Sequence, residues 1–392
     1  MIDRKYLEEF AYFGDRIYMD CSCLGMQPER TRRAAEEYLL RFSDSLGQDL
    51  EVSGCEIRRR GKEALGRLVG GEPEDIFFTM NTTWGNNLLA KGLPLEAGSQ
   101  VLVSGGDFPS VYMPWTARQG EGVELVALPS ENGVVAAEDL IAAMTDRTRV
   151  VSVSLAQSSS GCVTDIRKLG RACRERGILL SVDAVQAAGR LPIDVEEMGI
   201  DVLSASSYKG LLGVMGAAFC WCRKEVMEQV TPPYLCGNIE KDYELPSGLF
   251  DGEEVRLGIP AYAHRAARME TGTMNLMGIY TMTKSVEMLL EIGMENIAGQ
   301  IREVETCFRE RLKEADLDIR LLGSGDPDTW GGSVSFLYDL SRKDRLERAL
   351  SEAGIFVTVR DYLRAGFHYY NTKEQAERLA AVLERALGRQ GR

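Results

Sequence analysis

The stretch SVDAVQAAGRLPIDVEEMGIDVLSASSYKGLLGVMG, Ser181 to Gly216, decides how this chain of 392 residues is read. An apolar run from Gly177 ends in Asp183, and Gln186 follows it. A second apolar segment, Asp201-Val-Leu-Ser-Ala, ends in Ser206-Ser207-Tyr208-Lys209. Short apolar runs bounded by turn residues read as buried strands, so two strands deliver an acid and an amine to one edge of a sheet. A lysine in an apolar setting loses its proton more readily and becomes nucleophilic toward carbonyl carbon.

A carboxylate held near such an amine is what a pyridinium nitrogen needs. A Schiff-base lysine with an Asp partner is the usual sign of pyridoxal 5′-phosphate. Val182-Asp183-Ala184-Val185-Gln186 runs on to Gly189, Pro192, Asp194 and Val195. Together with Ser206-Ser207-Tyr208-Lys209, it resembles the aspartate and lysine motifs of the class V aminotransferase family. These fold-type I pyridoxal phosphate enzymes include cysteine desulfurases, isopenicillin N epimerase-like proteins and kynureninase. The resemblance runs from Tyr18-Met19-Asp20 to Tyr370-Asn371-Thr372. It implies an α/β fold with a large cofactor-binding domain over residues 16–292, built on a mostly parallel, seven-stranded sheet. A smaller C-terminal α/β domain over 293–392 is expected to be joined by residues 1–15.

The pattern outside the motifs agrees with this class. Thr31–Arg41, Glu51–Leu68, Ala137–Thr145 and Ile166–Arg176 have helical spacing of apolar positions. Between them Asp75–Thr79, Gln100–Ser104, Val123–Ala127 and Arg149–Leu155 read as strands, and such alternation argues for a parallel α/β sheet. Ligands of these sheets sit beyond the strand carboxyl ends, where Asp183 and Lys209 lie. One long helix is expected from Thr281 to Ala315. Strands at Gly332–Leu337 and Ile355–Val359 and a closing helix at Lys373–Leu387 complete the chain. Residues 231–258, with Pro-Pro, several Gly and many charges, read as a long loop.

A net charge of −13 argues against a surface for nucleic acid, which demands clustered Lys and Arg. No apolar run is long enough to span a bilayer, and the first residues carry acids rather than the apolar core of a signal peptide. A cytoplasmic protein with reduced thiols is expected. Cys21/Cys23 and Cys220/Cys222 form C-x-C pairs, which on strands place both thiols on one face. Four thiols would bind zinc if the pairs met. Structural zinc sites favour wider turns, so buried thiols and no metal are the preferred reading.

The resemblance also distributes roles. Catalysis falls to Lys209 and Asp183. Phosphate binding falls to Thr83, with Thr82 before it at a helix N-terminus that favours an anion, and to Ser206 and Tyr208. Phe108, in Asp107-Phe-Pro-Ser, stands where desulfurases have a ring-stacking histidine. A phenyl ring offers a face and no proton. Gln186 is the expected donor to the cofactor's phenolic oxygen. Thr273, in Thr271-Gly-Thr, matches a residue that reaches the neighbouring subunit's phosphate, which implies a homodimer with shared sites. Arg364 aligns with the arginine that holds the substrate carboxylate, a task suited to a guanidinium fork. Ser158 and Gly25 complete the expected substrate side. His368 belongs to the same motif as Arg364 and reads as structural.

No cysteine follows Cys307, whereas desulfurases use one shortly before the arginine motif. The expected activity is therefore a transaminase or β-lyase of the C–S lyase kind on an α-amino acid, through a Lys209 Schiff base. An epimerase or racemase, a desulfurase with a non-standard nucleophile (Cys21, Cys23 or Cys236) and a non-catalytic scaffold are the alternatives.

Overall fold

The computed structural model describes residues 2–45, 50–235 and 261–388. Of the expected loop 231–258, only 231–235 fall within them. The rest, and Cys236, lie outside the described residues.

After a short helix (Arg4–Glu8) the chain forms β1 (Ile17–Tyr18) and then builds a seven-stranded sheet. Its strands are β2 (Ile76–Thr79), β3 (Gln100–Ser104), β4 (Glu124–Leu128), β5 (Thr148–Ser154), β6 (Leu179–Asp183), β7 (Val202–Ser206) and β8 (Ala218–Cys222). The order is β2-β8-β7-β6-β5-β3-β4. Only β8 runs against its neighbours, β7 and β2; the remaining contacts are parallel. Helices cover the faces, so β2, β3, β7 and β8 are buried throughout. That explains why they read as continuous apolar runs rather than alternating ones.

Cys220 and Cys222 lie within β8, both buried. Cys21 and Cys23 lie in a turn instead of a strand, the first buried and the second exposed. The shared-face argument therefore does not apply to them. Among the described residues no three potential metal ligands cluster. No helix there is long and apolar enough to cross a membrane.

The expected single helix from Thr281 to Ala315 is two helices, Leu276–Ile292 and Met294–Glu314. Gly293, at φ 88°, breaks it, because that backbone angle lies outside the helical region and is open chiefly to glycine. The apolar period continues across the break, which is why it was invisible to spacing alone.

After this break come β9 (Ile319–Leu321) and β10 (Ser333–Tyr338). The expected strand Ile355–Val359 is also divided. β11 (Ile355–Phe356) pairs with β1 in parallel, and β12 (Thr358–Val359) enters a second sheet with β13 (Leu363–Gly366). That sheet has the order β12-β13-β10-β9 and is antiparallel. The N-terminal segment thus pairs with the C-terminal unit, and Asp20 bridges to Gly366 beside β13. The closing helix, Lys373–Leu387, starts in a capping box between Thr372 and Gln375.

A buried polar network fixes this unit against the large sheet. Arg190 donates to the carbonyls of Phe367 (3.0 Å), Gln186 (3.0 Å) and Gly332. Glu305 accepts from Arg309 (2.8 Å) and from the Gly332 N–H (2.7 Å). These buried charges are tolerated because each is paired or hydrogen-bonded on several sides.

Candidate active site

Asp183 ends β6 and Ser206 ends β7; the two strands pair in parallel, with Asp183 opposite Ser204. The Asp183 carboxylate is 8% exposed. It accepts from the Val185 N–H (2.9 Å) and from the Ser110 hydroxyl (3.3 Å). Burial pushes its pKa up, while these donors and the Lys209 amine pull it down.

Lys209 follows in a tightly held turn. The Ser207 hydroxyl donates to the Val214 carbonyl, and Leu212 N–H donates to the Lys209 carbonyl (2.9 Å), which leaves Leu212 at φ 56°. A branched-chain residue at positive φ is strained, so surrounding contacts must impose it. Gly25 N–H donates to the Tyr208 carbonyl (2.8 Å). A side chain at Gly25 would lie 2.1 Å from the Lys209 carbonyl oxygen, so glycine is required by close approach. His368 Nε2 donates to the Gly210 carbonyl (2.9 Å), and its Nδ1 accepts from Tyr369 N–H (2.9 Å). Both ring nitrogens are used, and burial lowers its pKa to about 3. It is a neutral, structural histidine that supports the turn behind the lysine.

The Lys209 ammonium lies 5.8 Å from the ring centroids of both Phe108 and Tyr208. Burial lowers its pKa to about 8, against the opposing pull of Asp183; Arg364 adds to the lowering. Phe108 precedes the helix Pro109–Thr116 and keeps 53% of its surface exposed. The helix Thr82–Gly92 begins after Asn81, whose side chain accepts from Trp84 N–H (2.8 Å). Thr82 is buried there and Thr83 exposed.

Arg364, on β13 and 7% exposed, donates to the Ser158 carbonyl (2.6 Å) and to the Thr358 hydroxyl (3.4 Å). Its Nε is buried and has no partner among the described residues. Ser158 therefore meets Arg364 through its backbone rather than its hydroxyl. Gln186 turns its Nε2 to the Ser22 carbonyl (2.9 Å), and its Oε1 accepts from Arg190 (3.4 Å). Thr273 is exposed and lines a cleft of about 320 Å³ with Met80, Trp84 and Asn275.

Three partners escaped the sequence reading. Ser110 reaches Asp183 from a neighbouring helix. Thr358 bridges Arg364 and Asp20. Asp107, whose pKa burial raises to about 7, accepts from Ser154 N–H (3.1 Å). Ser110 and Asp107 stand in the quoted Asp107-Phe-Pro-Ser, but a hydroxyl and a carboxyl in so short a motif carry no sign of a contact made across the sheet.

An α/β chain with an acid and a desolvated lysine at adjacent strand ends defines a cofactor-dependent enzyme of the pyridoxal phosphate class. The model of the family described as Aminotransferase class-V matches residues 17–379. The chain belongs to that family, and pyridoxal 5′-phosphate is its cofactor. It is 29% identical to a probable cysteine desulfurase of Aeropyrum pernix, over 95% of this chain and 94% of the relative. Its fold resembles the apo structure of a cysteine desulfurase from Thermococcus onnurineus, with a TM-score of 0.86, 22% identity and coverage of 99% and 98% of the two chains. It also resembles the cystine C-S lyase C-DES in complex with cysteine persulfide, with a TM-score of 0.85, 20% identity and coverage of 97% and 100%. The mostly parallel sheet and smaller C-terminal unit are thus those of fold-type I enzymes.

The residues present fit the cofactor. An exposed phenyl ring beside the lysine offers a stacking face, a buried carboxylate awaits a cationic partner, and the amine is poised to lose its proton. The lowered pKa yields a direct check. A Lys209 amine that is neutral above about pH 8 reacts with acetic anhydride in cofactor-free protein with a midpoint near pH 8. Ordinary lysines, at about 10.4, continue to gain reactivity well above that. Peptide mass measurements across pH read the midpoint; a value near 10 for Lys209 contradicts the desolvation.

Proposed function

We propose that the protein is a β-lyase acting on a sulfur-bearing α-amino acid, with transamination as the other outcome open to the same site. The observation carrying this reading is the turn between β12 and β13, Arg360-Asp361-Tyr362, which leads to Arg364 and holds no thiol. Sulfur leaving a substrate has no acceptor on that side.

Pyridoxal phosphate, when bound, supplies an electrophilic aldehyde and an electron-withdrawing ring. In this reading Thr82, Thr83, Ser206 and Tyr208 hold its phosphate, and Phe108 holds the ring face. Asp183 sits at the ring nitrogen, where an ionised carboxylate keeps a proton in place. Arg364 holds the substrate carboxylate through its free Nε–H. Lys209, neutral above about pH 8, takes the proton from the substrate α-carbon. As the Cβ–S bond breaks, sulfur leaves with the bonding pair and is protonated. With L-cysteine and water the balance is pyruvate, ammonia and hydrogen sulfide.

A second reading, a desulfurase using Cys23, is favoured by the similarity to the probable cysteine desulfurase of Aeropyrum pernix and by Cys23 itself, which is exposed and within electrostatic reach of Lys209 and Tyr208. Product analysis separates the two. L-cysteine is expected to give pyruvate in step with sulfide, and Cys23→Ala to retain that activity. Alanine as the main product, lost in Cys23→Ala, contradicts the lyase reading.

We also infer a homodimer. Thr273 and the 53% exposed Met80 share a cleft with Trp84, next to the helix start assigned to the phosphate. A second copy covering this face would bring its own Thr273 to that phosphate. Sedimentation of the loaded protein is expected to give twice the 43.4 kDa chain mass. A monomer with full cofactor occupancy contradicts the shared site.

A further inference from the structure

Arg364 sits between two strands that each contribute a polar group. Thr358 is its register partner across β12 and β13. Asp20 pairs in parallel with Gly366, two residues along the same strand. Residues two apart on a strand share a face, so the register puts Thr358, Arg364 and Asp20 together on one side. The contacts follow: the Thr358 hydroxyl and Asp20 Oδ1 are 2.5 Å apart, and Arg364 Nη2 lies 3.4 Å from the same hydroxyl. A threonine hydroxyl has one proton and two lone pairs, and an ionised carboxylate only accepts. With its proton committed to Asp20, the hydroxyl turns a lone pair to the guanidinium. The Ser158 carbonyl holds Nη1 (2.6 Å), and the buried Nε–H remains without a partner among the described residues.

We propose that Thr358, oriented by Asp20, is a positioning residue that fixes the Arg364 guanidinium with its Nε–H free for the carboxylate of an α-amino acid. This rests on the reading of Arg364 as the carboxylate-binding group. The site therefore selects for amines that carry a carboxylate on the same carbon, and the N-terminal segment takes part in that selection through Asp20. Neither Thr358 nor Asp20 touches the reacting atoms. Their effect is confined to how well the fork is aimed, since a charged hydrogen-bond donor left free to rotate loses directional binding.

The test uses two probes that differ only in the carboxylate, L-alanine and ethylamine. Their dissociation constants for the pyridoxal-phosphate-loaded protein are read from the visible absorbance change, without keto acid. The ratio of the ethylamine constant to the L-alanine constant reports carboxylate recognition alone, and the ethylamine constant itself reports an intact cofactor site. Arg364→Ala is expected to collapse the ratio. Thr358→Val is expected to lower it about tenfold, the size of one hydrogen bond to a charged group. Thr358→Ser restores it to within about twofold, because the hydroxyl survives. Asp20→Ala lowers it in the same direction as Thr358→Val. A ratio unchanged in Thr358→Val but collapsed in Arg364→Ala overturns the positioning role and leaves the Arg364 reading intact. A ratio unchanged in Arg364→Ala overturns both. A ratio unchanged in Asp20→Ala alone removes Asp20 from the arrangement.

Discussion

Asp183 faces Ser204 across β6 and β7, and the site depends on that parallel pairing. Parallel neighbours end at the same edge, so whatever each strand carries beyond its last residue is brought together there. β6 carries a carboxylate and β7 carries a lysine after a short turn. The desolvation that surrounds them acts on both in opposite directions. It raises the acid and lowers the base, and each partly offsets the shift of the other. Burial outweighs the pull of Asp183 on the amine, so that near pH 8 it exists in both protonation states.

The remainder of the molecule holds this edge still. Gly25 and His368, from opposite ends of the sequence, support the backbone on either side of Lys209. Arg190 ties the segment after β6 to Gly332 and Phe367. Ser22 receives Gln186 through its carbonyl and shares a hydrogen bond with Ser333 (2.6 Å). The N-terminal segment is thus a wedge between the sheet that carries the lysine and the sheet that carries Arg364. Its bridge to β13 explains how residues near position 20 and position 364 come to share one site.

Much of this was legible in the sequence. Continuous apolar runs marked the buried strands, and the motifs around Asp183, Lys209 and Arg364 carried the resemblance to the family whose model matches residues 17–379. The closing helix was placed at Lys373–Leu387, the bounds it has in the structure. What escaped was non-local or angular. Spacing cannot show that Gly293 takes a left-handed backbone angle and divides a helix, because the apolar period runs through it. Nor can it show that Ile355–Val359 serves two sheets. Ser110 and Thr358 were silent for a related reason: a hydroxyl gains meaning only from the group it meets. Those groups, Asp183 and Arg364, are supplied by other strands.

In the proposed function the desolvated amine at the end of β7 holds the cofactor. Borohydride reduction of the loaded protein, followed by digestion and peptide mass measurement, tests it directly. A reduced pyridoxyl group is expected on Lys209 and on no other lysine, and none in Lys209→Ala. Labelling at a different lysine, or undiminished labelling in Lys209→Ala, would contradict it.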